Sequence, residues 1–181
     1  MAITSARADS PTSQPRRTSD LGPDWALQRA QPADVAAVKV LFRRLHAFNA
    51  ALDARFALSD RWETPFEAAM QRAVHSADSI CLLARERRTD LPCGFVLAAV
   101  HRDSDLWQYR EWVEIEALYV DAPWHGGGLA ASLLGQVYTW AEGIGQPVVQ
   151  LYVTASNERA IRFYQHAGFH TTQEIMRKVL V

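Results

Sequence analysis

The chain has 181 residues, 49% of them hydrophobic, and a formal net charge of −1 at pH 7. Its length predicts one domain with enough apolar side chains for a full core. The balanced charge excludes a global positive field for binding nucleic acid or an anionic membrane surface.

Two cysteines, Cys81 and Cys93, are too few for a disulfide framework and disfavour a cysteine zinc site. No apolar run in the sequence is long enough to cross a bilayer. We therefore expect a cytoplasmic protein that holds no metal and binds neither nucleic acid nor membrane.

The first 24 residues are rich in Ser, Thr, Pro and Ala, and the first aromatic residue is Trp25. Such a segment cannot bury enough apolar surface to offset the entropy lost when it becomes ordered. It also lacks the apolar stretch of a secretory signal. We therefore expect a disordered tail over residues 1–24 and a single domain over 25–181.

Regular patterns begin with a short strand at WALQRA and continue into a helix whose start is marked by Pro32 and Asp34. The apolar stripe of this helix recurs every three or four residues: Val35, Val38, Phe42, Leu45, Phe48 and Leu52. A second helix is predicted from about Thr64 to Ser76. Strands near 80–85 and 94–100 should follow it.

Residues 112–120 alternate, which predicts a strand with Val113, Ile115 and Ala117 on one face and Glu114 and Glu116 on the other. After a glycine loop, an apolar stripe predicts a helix over 129–143. A strand over 148–153, a helix over 157–167 and one or two strands over 169–181 complete the chain. This order is typical of a mixed α/β (α+β) sheet domain.

His125 opens a run of three glycines between a predicted strand and a predicted helix, where backbone N–H groups favour an anion. As HGGG, the run could form the oxyanion loop of an α/β-hydrolase, but the chain has no G-x-S-x-G nucleophile elbow. As G-x-G-x-x-A, it could form a dinucleotide-binding turn. Five residues separate it from Val120, however, and no acid ends the next strand.

The same run also fits Arg/Gln-x-x-Gly-x-Gly/Ala, the pyrophosphate loop of acyl-CoA-dependent N-acyltransferases, with His125 replacing Arg or Gln. Thirty residues later, NERAIRFYQHAGF over 157–169 has the form N-x-x-A-x-x-F-Y-x-x-x-G-F. Together with EALYVDAPW over 116–124, these segments resemble the GNAT superfamily of N-acetyltransferases. The resemblance covers residues 112–181, and the earlier part of the chain agrees only in the order of its elements.

The resemblance implies a mixed, mostly antiparallel sheet of six to seven strands flanked by about four helices. It also implies acetyl-CoA as cosubstrate and acylation of a primary amine within a ternary complex. The backbone of Leu118, Tyr119 and Val120 would hold the pantetheine arm, and Asn157 would contact CoA as well as cap its helix. The pyrophosphate would lie on the loop N–H groups of His125, Gly126, Gly127, Gly128, Leu129 and Ala130.

The sequence departs from the family pattern at His125. An arginine there would carry a permanent charge, whereas histidine, with an unperturbed pKa near 6.5, is mostly neutral at pH 7. We expect the loop to bind CoA through its backbone donors, with weaker affinity. The alternative that this departure raises is an acyl-CoA-binding regulatory module without catalysis.

Catalysis by such an enzyme requires a base, because an amine with a pKa near 10.4 is almost fully protonated at pH 7. The resemblance implies a carboxylate at Glu116 or at Glu114, and we favour Glu116. Tyr164 matches the tyrosine that protonates the leaving thiolate in the family. Its alternative role is packing on the inner face of its helix.

The resemblance places the acceptor pocket at residues 46–66, whose aromatic residues are Phe48, Phe56, Trp62 and Phe66. Residues 102–121 carry six acids and two bases, so an acidic rim could attract a cationic amine. A small-molecule amine is the first choice of acceptor, and a protein lysine or N-terminal amine is the second. The sheet edge and Trp107, Trp112 and Trp140 would also allow a homodimer, and the sequence leaves the oligomeric state open.

Overall fold

A computed structural model describes residues 22–180, which contain five β-strands and four α-helices. The predicted tail over 1–24 lies outside the described residues apart from its last three positions. No helix within residues 22–180 combines the length and the apolar character needed to cross a membrane.

The strands form one sheet in chain order: β1 (Trp25–Arg29), β2 (Ser79–Glu86), β3 (Pro92–Arg102), β4 (Glu111–Val120) and β5 (Val149–Leu151). Neighbours from β1 to β4 are antiparallel, and β5 runs parallel to β4. β2 and β3 are buried over most of their length because helices cover both faces of the sheet. The predicted mixed, mostly antiparallel sheet is thus confirmed.

Helices α1 (Val35–Leu52) and α2 (Glu63–His75) pack on one face of the sheet, the α1–α2 face. Helices α3 (Leu129–Gly143) and α4 (Glu158–His166) contact the opposite face, the α3 face. The number of α-helices agrees with the prediction. Each face has its own apolar core, with Phe95 and Leu97 toward α1 and α2 and with Val96 and Val113 toward α3. Both cysteines are buried and free, as predicted.

The described sheet has five strands, so the predicted count of six to seven is wrong for residues 22–180. The difference lies after α4, because residues 169–180 form no strand. Four apolar side chains late in this segment are exposed: Ile175, Met176, Val179 and Leu180. Apolar β-formers alone do not make a strand, since a strand also needs a partner edge and a buried face.

A β-bulge in β4 changes the side-chain alternation that the sequence predicts. Leu97 pairs with Ala117, and Ala98 pairs with Ile115, so Glu116 is the extra residue. An extra residue reverses the faces of the positions beyond it. Ile115 therefore packs on the α3 face, whereas Ala117 packs on the α1–α2 face. The prediction that these two residues share a face is wrong for this reason.

The buried carboxylate of Asp34 stabilises the start of α1. It accepts hydrogen bonds from the backbone N–H of Gln31 at 2.9 Å and from Nη2 of Arg85, in β2, at 2.7 Å. Burial by itself would raise the pKa of Asp34, but these hydrogen bonds and the Arg85 charge outweigh it and lower that pKa. The pair therefore ties the start of α1 to the sheet.

Candidate active site

Strands β4 and β5 separate part-way along their length. They pair only from Val113↔Val149 to Ile115↔Leu151, while β4 continues to Val120 with β3 as its partner. Within the described residues, the β5-facing backbone of residues 116–120 has no strand partner. Leu118, Tyr119 and Val120, the predicted pantetheine-binding residues, lie in this segment. Unpaired strand N–H and C=O groups can bind an extended ligand as an added strand would.

The glycine run lies between β4 and α3, at the amino end of that helix. Gly126 and Gly128 have φ angles of +79° and +80°, and Gly128 is the N-cap residue of α3. Only glycine adopts this left-handed conformation without strain. Helix α3 begins at Leu129, and the N–H groups of its first turn, including those of Leu129 and Ala130, have no partner within the helix. The loop therefore offers an anion site at the carboxyl end of β4.

The imidazole of His125 bridges the end of β4 and the first turn of α4. Its Nε2 lies 2.8 Å from the Val120 carbonyl oxygen, and its Nδ1 lies 2.9 Å from Nη1 of Arg159. A guanidinium nitrogen only donates, so Nδ1 accepts and Nε2 carries the proton donated to Val120. A permanent positive charge consequently stands beside the loop, and it is supplied by α4. No pattern in the sequence singles out Arg159 as a residue of this loop.

Asn157 caps α4, as predicted. Its side-chain oxygen accepts a hydrogen bond from the backbone N–H of Ala160 at 3.2 Å. This cap fixes the first turn of α4, which carries Arg159, next to the glycine loop. The additional contact to CoA predicted for Asn157 stays a prediction.

A cavity of about 560 Å³ opens on the α1–α2 face, between the two helices and β4. Its aromatic lining comes from α1, from α2 and from their connection: Phe42, Phe56, Trp62 and Phe66. Its charged lining consists of Arg55, Arg72 and Glu116. The connection between the first two helices thus contributes to a pocket, as expected. Phe48 does not line it and lies instead against the Arg159 guanidinium, 5.8 Å from ring centroid to Cζ.

The carboxylate of Glu116 borders this cavity because the bulge turns it toward α2. Its Oε1 lies 4.0 Å from Nη2 of Arg72. Burial raises the pKa of Glu116, Arg72 opposes the rise and the charge of Glu114 adds to it. A carboxylate with a raised pKa is a better proton acceptor near neutral pH than an ordinary one.

Glu114 is not among the residues that line the cavity. Its Oε2 lies 3.4 Å from Nε1 of Trp112 and 3.9 Å from Nδ1 of His101. Of the two carboxylates considered as base, only Glu116 borders the pocket. Glu114 is placed to act on Glu116 through its charge.

Tyr164 lies half-buried in α4, with its ring against Phe163 and Phe169 at centroid distances of 5.2 and 5.6 Å. Burial, together with nearby Tyr138, raises the pKa of Tyr164 to about 12. Its hydroxyl therefore keeps its proton over the physiological range and can act only as a donor of that proton. The packing role predicted as an alternative is present in the structure.

Comparisons with known proteins agree with this arrangement. The chain matches the acetyltransferase (GNAT) family over residues 46–169. It belongs to the GNAT family.

An uncharacterized N-acetyltransferase of Methanocaldococcus jannaschii is 31% identical over 84 residues, which make up 46% of this chain and 37% of that protein. An uncharacterized N-acetyltransferase of Mycobacterium tuberculosis is 42% identical over 57 residues, 32% of this chain and 36% of that protein. The chain therefore matches little more than a third of the length of these curated relatives.

Among solved structures, a point mutant of the BH1408 protein from Bacillus halodurans superposes with a TM-score of 0.75 at 20% identity, covering 86% of this chain and 99% of that one. The aminoglycoside N-acetyltransferase AAC(6')-Iy, bound to a bisubstrate analogue of CoA, superposes with a TM-score of 0.67 at 14% identity. That comparison covers 87% of this chain and 98% of the other. Both likenesses show a shared GNAT fold.

The charges that line the cavity differ from the acidic rim that the sequence suggested. Of the six acids between residues 102 and 121, only Glu116 lines the cavity, and two arginines line it as well. Ala69 follows Pro65 by four positions and Arg72 follows Ala69 by three, and all three residues line the cavity. Helical periodicity on α2 is therefore the signal that could have identified Arg72.

His46 of α1 also lines the cavity. Its Nδ1 lies 3.3 Å from the carbonyl oxygen of Phe56, and burial lowers its pKa. Within the described residues, no group of three or more His, Cys, Asp or Glu side chains is arranged to hold a metal ion.

Proposed function

We propose that this GNAT protein transfers an acetyl group from acetyl-CoA to a primary amine of a small molecule, directly, within a ternary complex. The observation that carries the proposal is the position of Glu116. This residue borders the cavity and is also the first residue of β4 beyond its pairing with β5. A donor on the free backbone of β4 and an acceptor in the cavity would therefore meet at Glu116.

The residues present fit acetyl-CoA. On the side away from β3, residues 116–120 have no neighbouring strand in the described part of the chain and offer backbone groups to a ligand. Gly126 and Gly128 shape the loop at the start of α3, and Arg159 places a cation beside that loop. Pyrophosphate is an anion that such a helix start binds, and pantetheine is an amide chain that such a backbone can pair with. Bound acetyl-CoA supplies the activated acetyl thioester.

Glu116 removes a proton from the acceptor ammonium, directly or through one water molecule. The neutral amine nitrogen then forms a bond to the acetyl carbon, the carbon–sulfur bond breaks, and the nitrogen gives up its second proton to water as the amide forms. Tyr164 donates its hydroxyl proton to the departing sulfur and regains a proton from water before the next turnover. The high pKa of Tyr164 ensures that it holds this proton at neutral pH. The base and the acid thus lie on different elements, β4 and α4.

Thermal unfolding with and without acetyl-CoA tests the donor half of this proposal. Acetyl-CoA at one hundred times its Kd should stabilise the fold by about 2.7 kcal/mol. For a chain of this size the Tm should rise on the order of 5–10 °C. An unchanged Tm at millimolar acetyl-CoA would contradict the proposal and favour another acyl donor or an inactive site.

Release of CoA in the presence of a panel of amines tests the acceptor half. Turnover with small amines, but not with peptides presenting lysine or a free N-terminus, is the expected result. Turnover with peptides alone would contradict the small-molecule acceptor and indicate that the enzyme acetylates a protein amine.

A further inference from the structure

The cavity is lined by one carboxylate, by one arginine that has no close ion-pair partner within residues 22–180 and by aromatic side chains. We propose that the acceptor is a free α-amino acid with an aromatic side chain, its amine at Glu116 and its carboxylate at Arg72. This inference rests on the proposed N-acetyltransferase function and names the substrate class for the same cavity.

Arg72 is available to bind an anion. Within the described residues its guanidinium makes no hydrogen bond, and its only ion-pair contact is the long 4.0 Å approach to Glu116. Its side chain is 56% exposed, although it lines the cavity. A planar guanidinium with free donors is suited to a two-pronged bond with a carboxylate.

Arg55, the other cavity arginine, has its charge compensated. Its Nε donates to both oxygens of Asp53, at 2.9 and 3.0 Å, and a third bond joins its Nη2 to the same carboxylate. These hydrogen bonds are the first cause of the lowered pKa of Asp53, which is about 2. The pair leaves Arg72 as the cation of the cavity that can accept a new anionic partner.

The spacing of the two charges fits an α-amino acid. Standard N–Cα and Cα–C bond lengths place the amine nitrogen about 2.5 Å from the carboxylate carbon. Oε1 of Glu116 and Nη2 of Arg72 lie 4.0 Å apart. The amine can therefore donate a hydrogen bond to Glu116 while the adjacent carboxylate accepts one from Arg72. A polyamine or aminoglycoside would bring several cations toward a site that holds only one carboxylate and two guanidinium groups.

The rest of the acceptor would lie against the aromatic cluster of α1 and α2. Phe42 stacks on Trp62 with ring centroids 5.7 Å apart, and Phe66 lies 4.9 Å from Phe42. Aromatic pairs contribute about 0.5–1.5 kcal/mol beyond the area they bury. An aromatic side chain on the acceptor therefore fits this wall better than a short or polar one.

Three acceptors separate the parts of this proposal: L-phenylalanine, L-phenylalaninamide and L-alanine. The amide lacks the carboxylate charge and also imitates a peptide N-terminus, whereas alanine lacks the ring. We expect kcat/KM for L-phenylalanine to exceed that for each of the others at least tenfold. Equal or faster turnover of the amide would overturn the carboxylate assignment, and equal turnover of alanine would overturn the aromatic one.

Two variants test Arg72 itself. Arg72→Gln should reduce the preference for L-phenylalanine over its amide at least tenfold, through a higher KM for the amino acid with little change in kcat. Arg43→Gln removes an exposed arginine of α1 that does not line the cavity, and it should keep the wild-type preference. An unchanged preference in Arg72→Gln would overturn the role of Arg72.

Failure of the proposed function would give a different result. Turnover of other amines but not of L-phenylalanine would leave N-acetyltransfer in place and refute this inference alone. Absence of both an acetyl-CoA-dependent Tm shift and CoA release would refute the proposed function. In that case calorimetry with L-phenylalanine and its amide still tests the cavity, because tighter binding of the amino acid is expected without turnover and equal binding overturns the inference.

Discussion

Nη1 of Arg159 donates a hydrogen bond to Nδ1 of His125 over 2.9 Å. The two residues are 34 positions apart, one in the glycine loop and the other in the first turn of α4. The contact places a guanidinium beside the proposed pyrophosphate site, where position 125 itself provides an imidazole in place of an arginine. The same guanidinium lies over the ring of Phe48, which adds a second contact holding it in place.

Replacing Arg159 by Gln should weaken acetyl-CoA binding about tenfold to a hundredfold. The reason is the loss of a charged hydrogen-bond donor, which contributes about 1.5–3 kcal/mol when its partner is an anion. The dissociation constant can be measured by calorimetry at low and high salt. The matched control is Arg162→Gln on the same helix, where the lost partner is only the exposed Glu158. Equal affinities for the two variants would contradict this role for Arg159.

Replacing Glu116 by Gln should lower kcat/KM about a hundredfold or more, because the base is lost while the shape of the cavity is kept. In the wild type, kcat/KM should rise with pH as Glu116 deprotonates, which gives the pH profile an acidic limb. Because the pKa of Glu116 is raised, this limb should lie at higher pH than the limb of an ordinary carboxylate. The variant should lack this limb and bind acetyl-CoA normally. Glu114→Gln, the control, should retain the limb, moved to lower pH because a neighbouring negative charge is gone. If Glu116→Gln kept the wild-type dependence of kcat/KM on pH, another group would have to be the base.

Replacing Tyr164 by Phe should lower kcat about tenfold to a hundredfold and leave KM almost unchanged, because only the departing sulfur needs its proton. The wild-type activity should show no loss from Tyr164 ionisation below its pKa of about 12. The Tm should change little, since the ring contacts with Phe163 and Phe169 remain. Tyr138→Phe is the control on α3. Full kcat in Tyr164→Phe would leave Tyr164 with the packing role alone.

Replacing Gly128 by Ala should destabilise the fold by about 1–2 kcal/mol, because its φ of +80° is strained for a residue with a Cβ. Acetyl-CoA binding should weaken as well, since the loop would move to relieve the strain. Gly135→Ala within α3 should do the opposite and add up to about 1 kcal/mol, because a Cβ there meets no atom within 4 Å. Urea denaturation of both variants measures the contrast, and equal effects would contradict the conformational argument.

Replacing Asp34 by Asn should cost about 1.5–3 kcal/mol of unfolding free energy, because charged hydrogen bonds to Arg85 and to the Gln31 backbone are weakened. The pKa of Asp34 is lowered in the fold, so its contribution is present above the unfolded-state pKa near 3.9 and disappears as pH falls through the lower folded value. Asp90→Asn is the control, since Asp90 also approaches Arg85, at 3.6 Å, but is 84% exposed. A loss of similar size in both variants would contradict the special position of Asp34.

The helices could be predicted from local patterns because each buries one stripe of side chains. The apolar positions of α1 recur every three or four residues, and those of α3 end near Gly143, where that helix ends. Asn157 marks the start of α4 because its side chain binds the N–H of Ala160, three residues away. Contacts this close in sequence are fixed by spacing alone.

The conformation of the segment after α4 could not be predicted in the same way, and the strands expected there are absent from residues 169–180. Ile175, Met176, Val179 and Leu180 are apolar and favour strand conformation, yet they lie exposed in the structure. Whether such a segment pairs depends on an edge that other parts of the molecule supply.

The bulge in β4 could not be predicted either. Alternation in β4 predicts one face for Ile115 and Ala117, but the pairing with β3 inserts Glu116 between them. A bulge is a property of two strands, and one strand's sequence does not reveal it.

The sequence by itself determined the family, the order of the elements and the glycine loop, because these depend on motifs and spacings along the chain. Only the tertiary structure decided which carboxylate borders the cavity, which cation stands beside the loop and which arginines line the cavity. Glu116 meets Arg72 of α2, and His125 meets Arg159 of α4, across 44 and 34 residues of chain. Such pairs arise only when separate elements pack together, and packing of this kind follows from the whole fold.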